Sequence, residues 1–223
     1  MINFHIISIF PEVLNSYLDE SILKRAQKNK KIKVSIYNPR NFSRDRHKKI
    51  DDKPYGGGPG MVMQVEPIIR TIQKIRKNKK NKEKSKIIIL SPRGGKFTNE
   101  EAKKFSKYKN LILICGRYEG IDARVKKILK TCLPISKTQE ISIGDYVLTG
   151  GEIPAMVVID SVSRQVQGVL GNLESIEENR ISSNEIYTRP EVFKFNGKKY
   201  KVPKVLLSGN HKDIERWKKT TKR

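Results

Sequence analysis

Two cysteines and three histidines are all that this sequence offers to disulfides or soft metals. Cys115 and Cys132 form no CxxC pair and have no histidine at zinc-like spacing, so both read as free thiols of a reducing, cytoplasmic compartment. No histidine lies near either one in sequence, which argues against a catalytic cysteine; Cys115 ends an apolar run and is expected in the core. His5, His47 and His211 stand apart from one another, and no metal site is assigned. No apolar run approaches the roughly 18 residues that a membrane span needs, so no membrane partner is expected. The opening MINFHIISIF has no basic segment before its apolar run and no small-residue cleavage site, and reads as a first strand rather than a signal peptide. Nucleotide fingerprints are missing as well. PYGGGPG (54–60) lacks the lysine and hydroxyl of a P-loop, and nothing fits GxGxxG after a strand with an acid about twenty residues on.

Acidic residues are scarce too: 23 against 47 lysines and arginines, a formal net charge of +24 in 223 residues. An excess of this size points to a polyanion such as nucleic acid. The competing explanation is a lysine- and asparagine-rich compositional bias, which spreads charge without building a binding face. With 36% hydrophobic residues the chain can build one ordinary domain with a small appendage.

Short apolar runs at 4–9, 33–37, 87–90 and 111–114 read as strands, and their continuous rather than alternating character suits a parallel sheet covered on both faces. Helical patterns lie between them. Val65, Ile68, Ile69, Ile72 and Ile75 share one helix face, as do Val13, Leu14, Tyr17 and Leu18 after Pro11. Thr98 with Glu101 has the spacing of a capping box, and Asn210 suits the N-cap of a short helix, DIERWKK. The alternation predicts an α/β domain, a mostly parallel sheet with helices on both faces. KNKKNKEKSK (77–86) reads as a charged connector rather than an RNA contact, and NLESIEENRISSNE (172–185) as a mobile linker. The domains are therefore expected at 1–168 and 187–223, with a linker over 169–186.

Two predicted strands end in glycine-bearing turns, IIIL into SPRGG and LILIC into GRYEG, and ISIGDYVLTGGEIP adds a third such loop. In open α/β sheets ligands bind beyond the carboxyl ends of the strands, and glycines let backbone amides and carbonyls approach a purine edge. Each glycine alone is read as a turn; three such loops in one sheet point to a ligand. Glu119, Asp145 and Glu152 beside such a pocket suit a neutral or cationic nucleoside rather than a phosphate.

DDKPYGGGPGMVM, LSPRGGKFT, LICGRYEGIDARV, SIGDYVLTGGEIPAM, IDSVSRQVQGVLGN, YTRPEV and VLLSGNHKDIERW together resemble, in this order and over nearly the whole chain, the bacterial tRNA (guanine-N1)-methyltransferases of the SPOUT superfamily. The resemblance implies a deep trefoil knot, S-adenosylmethionine as methyl donor with magnesium as an accessory ion, and tRNA carrying guanosine 37 after guanosine 36 as substrate. It also implies a homodimer whose active site is shared between subunits, and a small C-terminal helical domain that binds tRNA. That domain is expected to be shortened, because the chain ends at Arg223. The family's cofactor pocket maps to Leu90, Ser91 and Pro92, to Gly116, Tyr118, Glu119 and Gly120, and to Ile143, Gly144, Asp145, Tyr146, Val147, Leu148, Gly150, Gly151 and Pro154. Arg164 matches the arginine that faces the target guanine; without the resemblance it reads as a solvated helix residue.

Guanine N1 carries a proton at neutral pH, so methylation there calls for a base, and a cation opposite O6 stabilises the charge that develops. The resemblance places an aspartate in the linker as that base. Counting from VLGN brings Asn179 to its position, and an amide does not accept a proton as a carboxylate does. Glu178 and Glu177 are the candidates to replace it, and Glu178, next to Asn179, is the expected substitute. The competing expectation is a catalytically silent RNA-binding relative, and a third is a general anion-binding protein, which leaves the acidic glycine-rich loops without a role.

Overall fold

The computed structural model describes residues 1–78, 84–131, 137–170 and 185–220. In chain order the elements are β1 (Ile2–Ile7), α1 (Pro11–Leu18), α2 (Ser21–Lys28), β2 (Ile32–Tyr37), a 3-10 turn (Pro39–Phe42), β3 (Asp51–Asp52), β4 (Val62–Met63), α3 (Val65–Lys77), β5 (Ser85–Lys96), α4 (Asn99–Phe105), β6 (Asn110–Cys115), α5 (Ala123–Thr131), β7 (Lys137–Ser142), α6 (Glu152–Arg164), β8 (Val192–Phe195), β9 (Lys198–Lys201), α7 (Lys204–Leu207) and α8 (His211–Thr220). Met1–Gly171 make one compact unit and Asn172–Arg223 a second.

Five strands form one sheet in the order β2-β1-β6-β5-β7, and every pairing in it is parallel. Side chains alternate across the pleat, so each interior strand feeds two cores. Phe4, Ile6, Ile88, Leu90, Leu111, Leu113 and Cys115 face one side, where α1, α2, α4 and α6 pack. Ile87, Ile89, Ile112 and Ile114 face the other, under α3 and α5. That two-sided burial is why the apolar runs are unbroken.

Helix α3 follows its predicted face, with Ile68, Ile72 and Ile75 buried. In α1 the expected face splits into two neighbouring rows: Leu14 and Leu18 enter the core, while Val13 and Tyr17 are exposed. Thr98 caps α4, its hydroxyl accepting the Glu101 amide at 3.3 Å, but the Glu101 carboxylate turns to Lys104 and Gln139 instead of closing a box. The charged connector is shorter than expected. Ser85 and Lys86 are buried members of β5, and the Lys86 amine lies over the Phe105 and Tyr108 rings, 5.0 and 5.6 Å from their centroids. The assigned linker also overlaps the first unit, since Val169 packs in its core.

The second unit is not wholly helical: β8 and β9 form an antiparallel hairpin ahead of α7 and α8. The Asn210 side chain accepts the Lys212 amide at 3.1 Å to cap α8, and the Trp217 ring on that helix lies 6.3 Å from Tyr187.

His5, in β1, is buried, with Asn110 and Tyr37 each 3.4 Å from its ring nitrogens. Burial holds its pKa below the ordinary 6.5, with the Asn110 hydrogen bond opposing this and Lys33 adding to it. The unfolded chain therefore binds the extra proton first, so stability falls as pH drops below 6.5. His5→Gln is expected to flatten that part of the urea-midpoint profile between pH 7.5 and 5.5; an unchanged slope would remove His5 from the explanation.

Candidate active site

Parallel strands point their carboxyl ends in one direction, so the segments leaving β5, β6 and β7 meet at one edge of the sheet. SPRGG is not a turn that ends its strand. The pairing of β5 with β7 jumps from Leu90 to Gly95, both opposite Ile141, so Ser91 to Gly94 bulge out of the ladder and the strand then resumes. A Cβ on Gly94 would sit 2.4 Å from the backbone of Ile141, which is why no side chain fits where the bulge recrosses β7.

The segment after β6 is held on two sides by backbone. On one side the Glu119 amide donates to Met61 O (3.0 Å) and the Met63 amide to Gly120 O (2.9 Å). On the other, the Gly151 amide donates to Gly116 O at 2.9 Å, and a Cβ on Gly151 would lie 2.6 Å from Cys115 Cα. Tyr118 takes a left-handed φ of 58° and is exposed, as are Glu119, Pro92 and the run from Asp145 to Leu148. Leu90 is buried, and Ser91, Gly116, Gly120, Ile143, Gly144, Gly150 and Pro154 are half-buried around the same edge.

A buried ion pair ties these segments together. Arg117 donates to Glu152 through Nε (3.0 Å) and Nη2 (2.9 Å), and through Nη1 to Thr149 O (3.3 Å). Its guanidinium also lies 4.5 Å from the centre of the Phe10 ring. Glu152, 2% exposed, accepts a further bond from Ser8 Oγ at 2.7 Å, and Ser8 Oγ accepts the Phe10 amide at 3.0 Å. Four segments, the end of β1, the GRYEG loop, the 143–151 loop and the start of α6, share one charge-assisted network. Glu152 is thus committed to Arg117 and is no acid facing a cofactor, which corrects the expectation for that residue; Glu119 and Asp145 remain at the surface. Burial raises the Cys115 thiol well above its ordinary range, with Glu152 adding and Arg117 opposing, so this cysteine is no nucleophile.

Arg164 does not join this cluster. It ends α6, about 18 Å along the axis from Glu152 at 1.5 Å per residue. With Tyr17, Ile153, Met156, Val157, Asp160 and Ser161 it lines an open groove of about 390 Å³ that follows α6. Tyr17 donates a hydrogen bond to Asp160, which pushes the phenol up to about 12. Glu178, Asn179 and Cys132 lie outside the described residues, as does most of the predicted linker. Among the described residues no three His, Cys, Asp or Glu side chains cluster as a metal site.

The family described as "tRNA (Guanine-1)-methyltransferase TrmD" matches residues 2–223. This chain belongs to it. A tRNA (guanine-N(1)-)-methyltransferase of Clostridioides difficile (strain 630) is 48% identical over 220 residues, covering 97% of this chain and 90% of that protein. One of Carboxydothermus hydrogenoformans is 49% identical over 218 residues, 96% of this chain and 80% of the relative. One of Dictyoglomus turgidum is 47% identical over 223 residues, 98% and 84% of the two chains.

Within this tRNA (guanine-1)-methyltransferase Arg117, Ser8 and Phe10 belong to the framework of the site although no sequence motif singles them out. Arg117 lies inside the GRYEG motif, and its five donors beside a solitary buried acid were the available signal. Ser8 and Phe10 carry none, because their partners are 144 and about a hundred residues away in the chain.

Proposed function

We propose that this chain transfers the methyl group of S-adenosylmethionine to N1 of guanosine 37 in tRNA, in the cytoplasm, as a homodimer whose active site draws on both copies. Family membership makes it a methyltransferase of the tRNA guanine-N1 class. The observation that carries the finer reading is the convergence of the 91–94 bulge, the 116–120 loop and the 143–151 loop at one sheet edge, locked by Gly151 and Arg117.

The donor set at that edge fits the cofactor. It is lined by backbone and by the apolar Leu90, with no phosphate-binding lysine assigned to it, as suits an adenosine bearing a sulfonium. Leu90 to Pro92, Gly116, Tyr118 to Gly120, Ile143 to Leu148, Gly150, Gly151 and Pro154 would hold it. When bound, it supplies an electrophilic methyl group. The remaining work falls to side chains: Arg164 neutralises the charge that grows on guanine O6, and Glu178, in place of Asn179, accepts the N1 proton. Magnesium is assigned an accessory role.

Two copies account for the distance along α6. Arg164 stands at the far end of the helix from the glycine loops, and Val13, Tyr17, Ile153 and Val157 leave an exposed apolar strip on α1 and along α6. Burying that strip against a second copy would bring one chain's Arg164 to the other's loops.

Methyl transfer from labelled S-adenosylmethionine to a tRNA transcript with guanosines at 36 and 37 tests the reading. Transfer is expected to vanish with a transcript lacking guanosine 37 and to fall at least tenfold in Glu178→Gln, while Asn179→Asp is neutral or activating. Marked inactivation by Asn179→Asp would give Asn179 a role of its own. No transfer by the wild-type chain, with the cofactor still bound, would favour the silent relative that an asparagine at 179 suggests.

A further inference from the structure

Among the described residues, the hairpin of the second unit is the most exposed piece of regular structure. Asn196 and Gly197 turn it with φ of 45° and 73°, the paired positive values of a two-residue hairpin loop. The register sets Val192 opposite Lys201, Phe193 opposite Tyr200, Lys194 opposite Lys199 and Phe195 opposite Lys198. Alternation therefore puts Phe193, Phe195, Lys198 and Tyr200 on one face and Val192, Lys194, Lys199 and Lys201 on the other. The three aromatic residues are 58%, 57% and 55% exposed.

A two-stranded ribbon is marginal by itself, and three large rings on one open face invite a partner. Charge says which. Every residue of 192–201 that is charged at neutral pH is a lysine, two of them directly opposite one another, a repulsion that a polyanion relieves. Residues 185–220 carry ten lysines and arginines against four acids. Flat apolar rings set among ammonium groups match a ligand that is flat and apolar on its faces and anionic along its edge, which describes unpaired nucleotides.

We propose that the β8–β9 hairpin is a stacking platform for unpaired nucleotides of the tRNA, a contact apart from the guanine being modified. Phe193 and Phe195 stand two residues apart on one strand, about 6.6 Å. That spacing exceeds the rise between stacked bases, so the rings receive splayed rather than stacked bases, as single-stranded RNA presents them. Lys198 beside the rings and the three lysines behind them take the phosphates. The proposal rests on tRNA being the substrate.

The test is a binding series on the full-length chain with unmodified tRNA transcript, a single-stranded oligouridine and an RNA duplex of equal length, at several salt concentrations. Phe193→Leu/Phe195→Leu keeps apolar bulk and strand propensity but removes both flat faces. It is expected to weaken tRNA and oligouridine binding by roughly 5- to 150-fold per ring, leaving duplex binding and the salt slope unchanged. Phe193→Tyr is expected to bind as wild type. Lys198→Gln is expected to lower the slope of log affinity against log salt by about one. Unchanged tRNA affinity in the double leucine variant would overturn the platform. So would a loss of dimer by sedimentation in that variant with RNA binding intact, which would assign the face to a second copy. Should the wild-type chain methylate no tRNA yet lose oligouridine binding in the leucine variant, the platform stands and the enzymatic reading fails.

Discussion

Arg164→Ala is expected to lower kcat for methyl transfer about 10²- to 10³-fold, the effect of deleting one preorganised donor from a developing oxyanion. Cofactor affinity should stay within about twofold, because in the proposed site Arg164 faces the guanine and is not among the residues that hold the cofactor. Isothermal titration with S-adenosylmethionine and single-turnover methylation separate the two effects. Equal losses in both would place Arg164 among the residues that shape the cofactor pocket. Mixing Arg164→Ala with a variant disabled in its cofactor loops adds a sharper readout. If one site draws on both copies, the mixed dimer keeps one intact site and recovers activity that neither parent shows; no recovery would confine each site to one chain.

The other large effect is on stability. Arg117→Ala leaves the Glu152 carboxylate buried with only Ser8 as partner, and removing one member of a buried pair costs about 3–5 kcal/mol. Urea unfolding should show that loss at unchanged m-value, and cofactor binding should weaken as Gly116 and Gly151 lose their brace. Replacing both members, Arg117→Met with Glu152→Gln, should recover part of the stability, since the amide still accepts from Ser8 and no charge is stranded. A double variant no more stable than Arg117→Ala would mean that the Phe10 contact and the Thr149 bond, not the charge, hold the site together.

The residues that were legible in the sequence are those whose pattern is local. Ile87 to Leu90 and Leu111 to Ile114 announce strands because burial on both faces leaves no room for polar alternation. Ile68, Ile72 and Ile75 announce a helix in the same way. What stayed hidden depends on partners far away in the chain. Lys137–Ser142 reads KTQEIS and is too polar to announce itself, yet it forms the edge strand β7 because β5 offers it a parallel partner. The resumption of β5 after Leu90 is equally invisible, since it follows from Ile141 pairing twice. Glu152 looked like an acid awaiting a cation from outside; the cation was 35 residues upstream in the same chain.

The order β2-β1-β6-β5-β7 also bears on how the protein is made. β1 leaves the ribosome first and meets β2 quickly, but its inner-sheet partner β6 lies about a hundred residues later, as the pair Asn3 and Asn110 marks. At about 5–20 residues per second, translation leaves Phe4 and Ile6 without their final cover for about 5–20 seconds. During that interval the nascent chain presents an apolar parallel edge with nothing beside it, the form of strand most open to wrong pairing. The interior position that shields β1 in the finished sheet is therefore the one that leaves it waiting longest during synthesis.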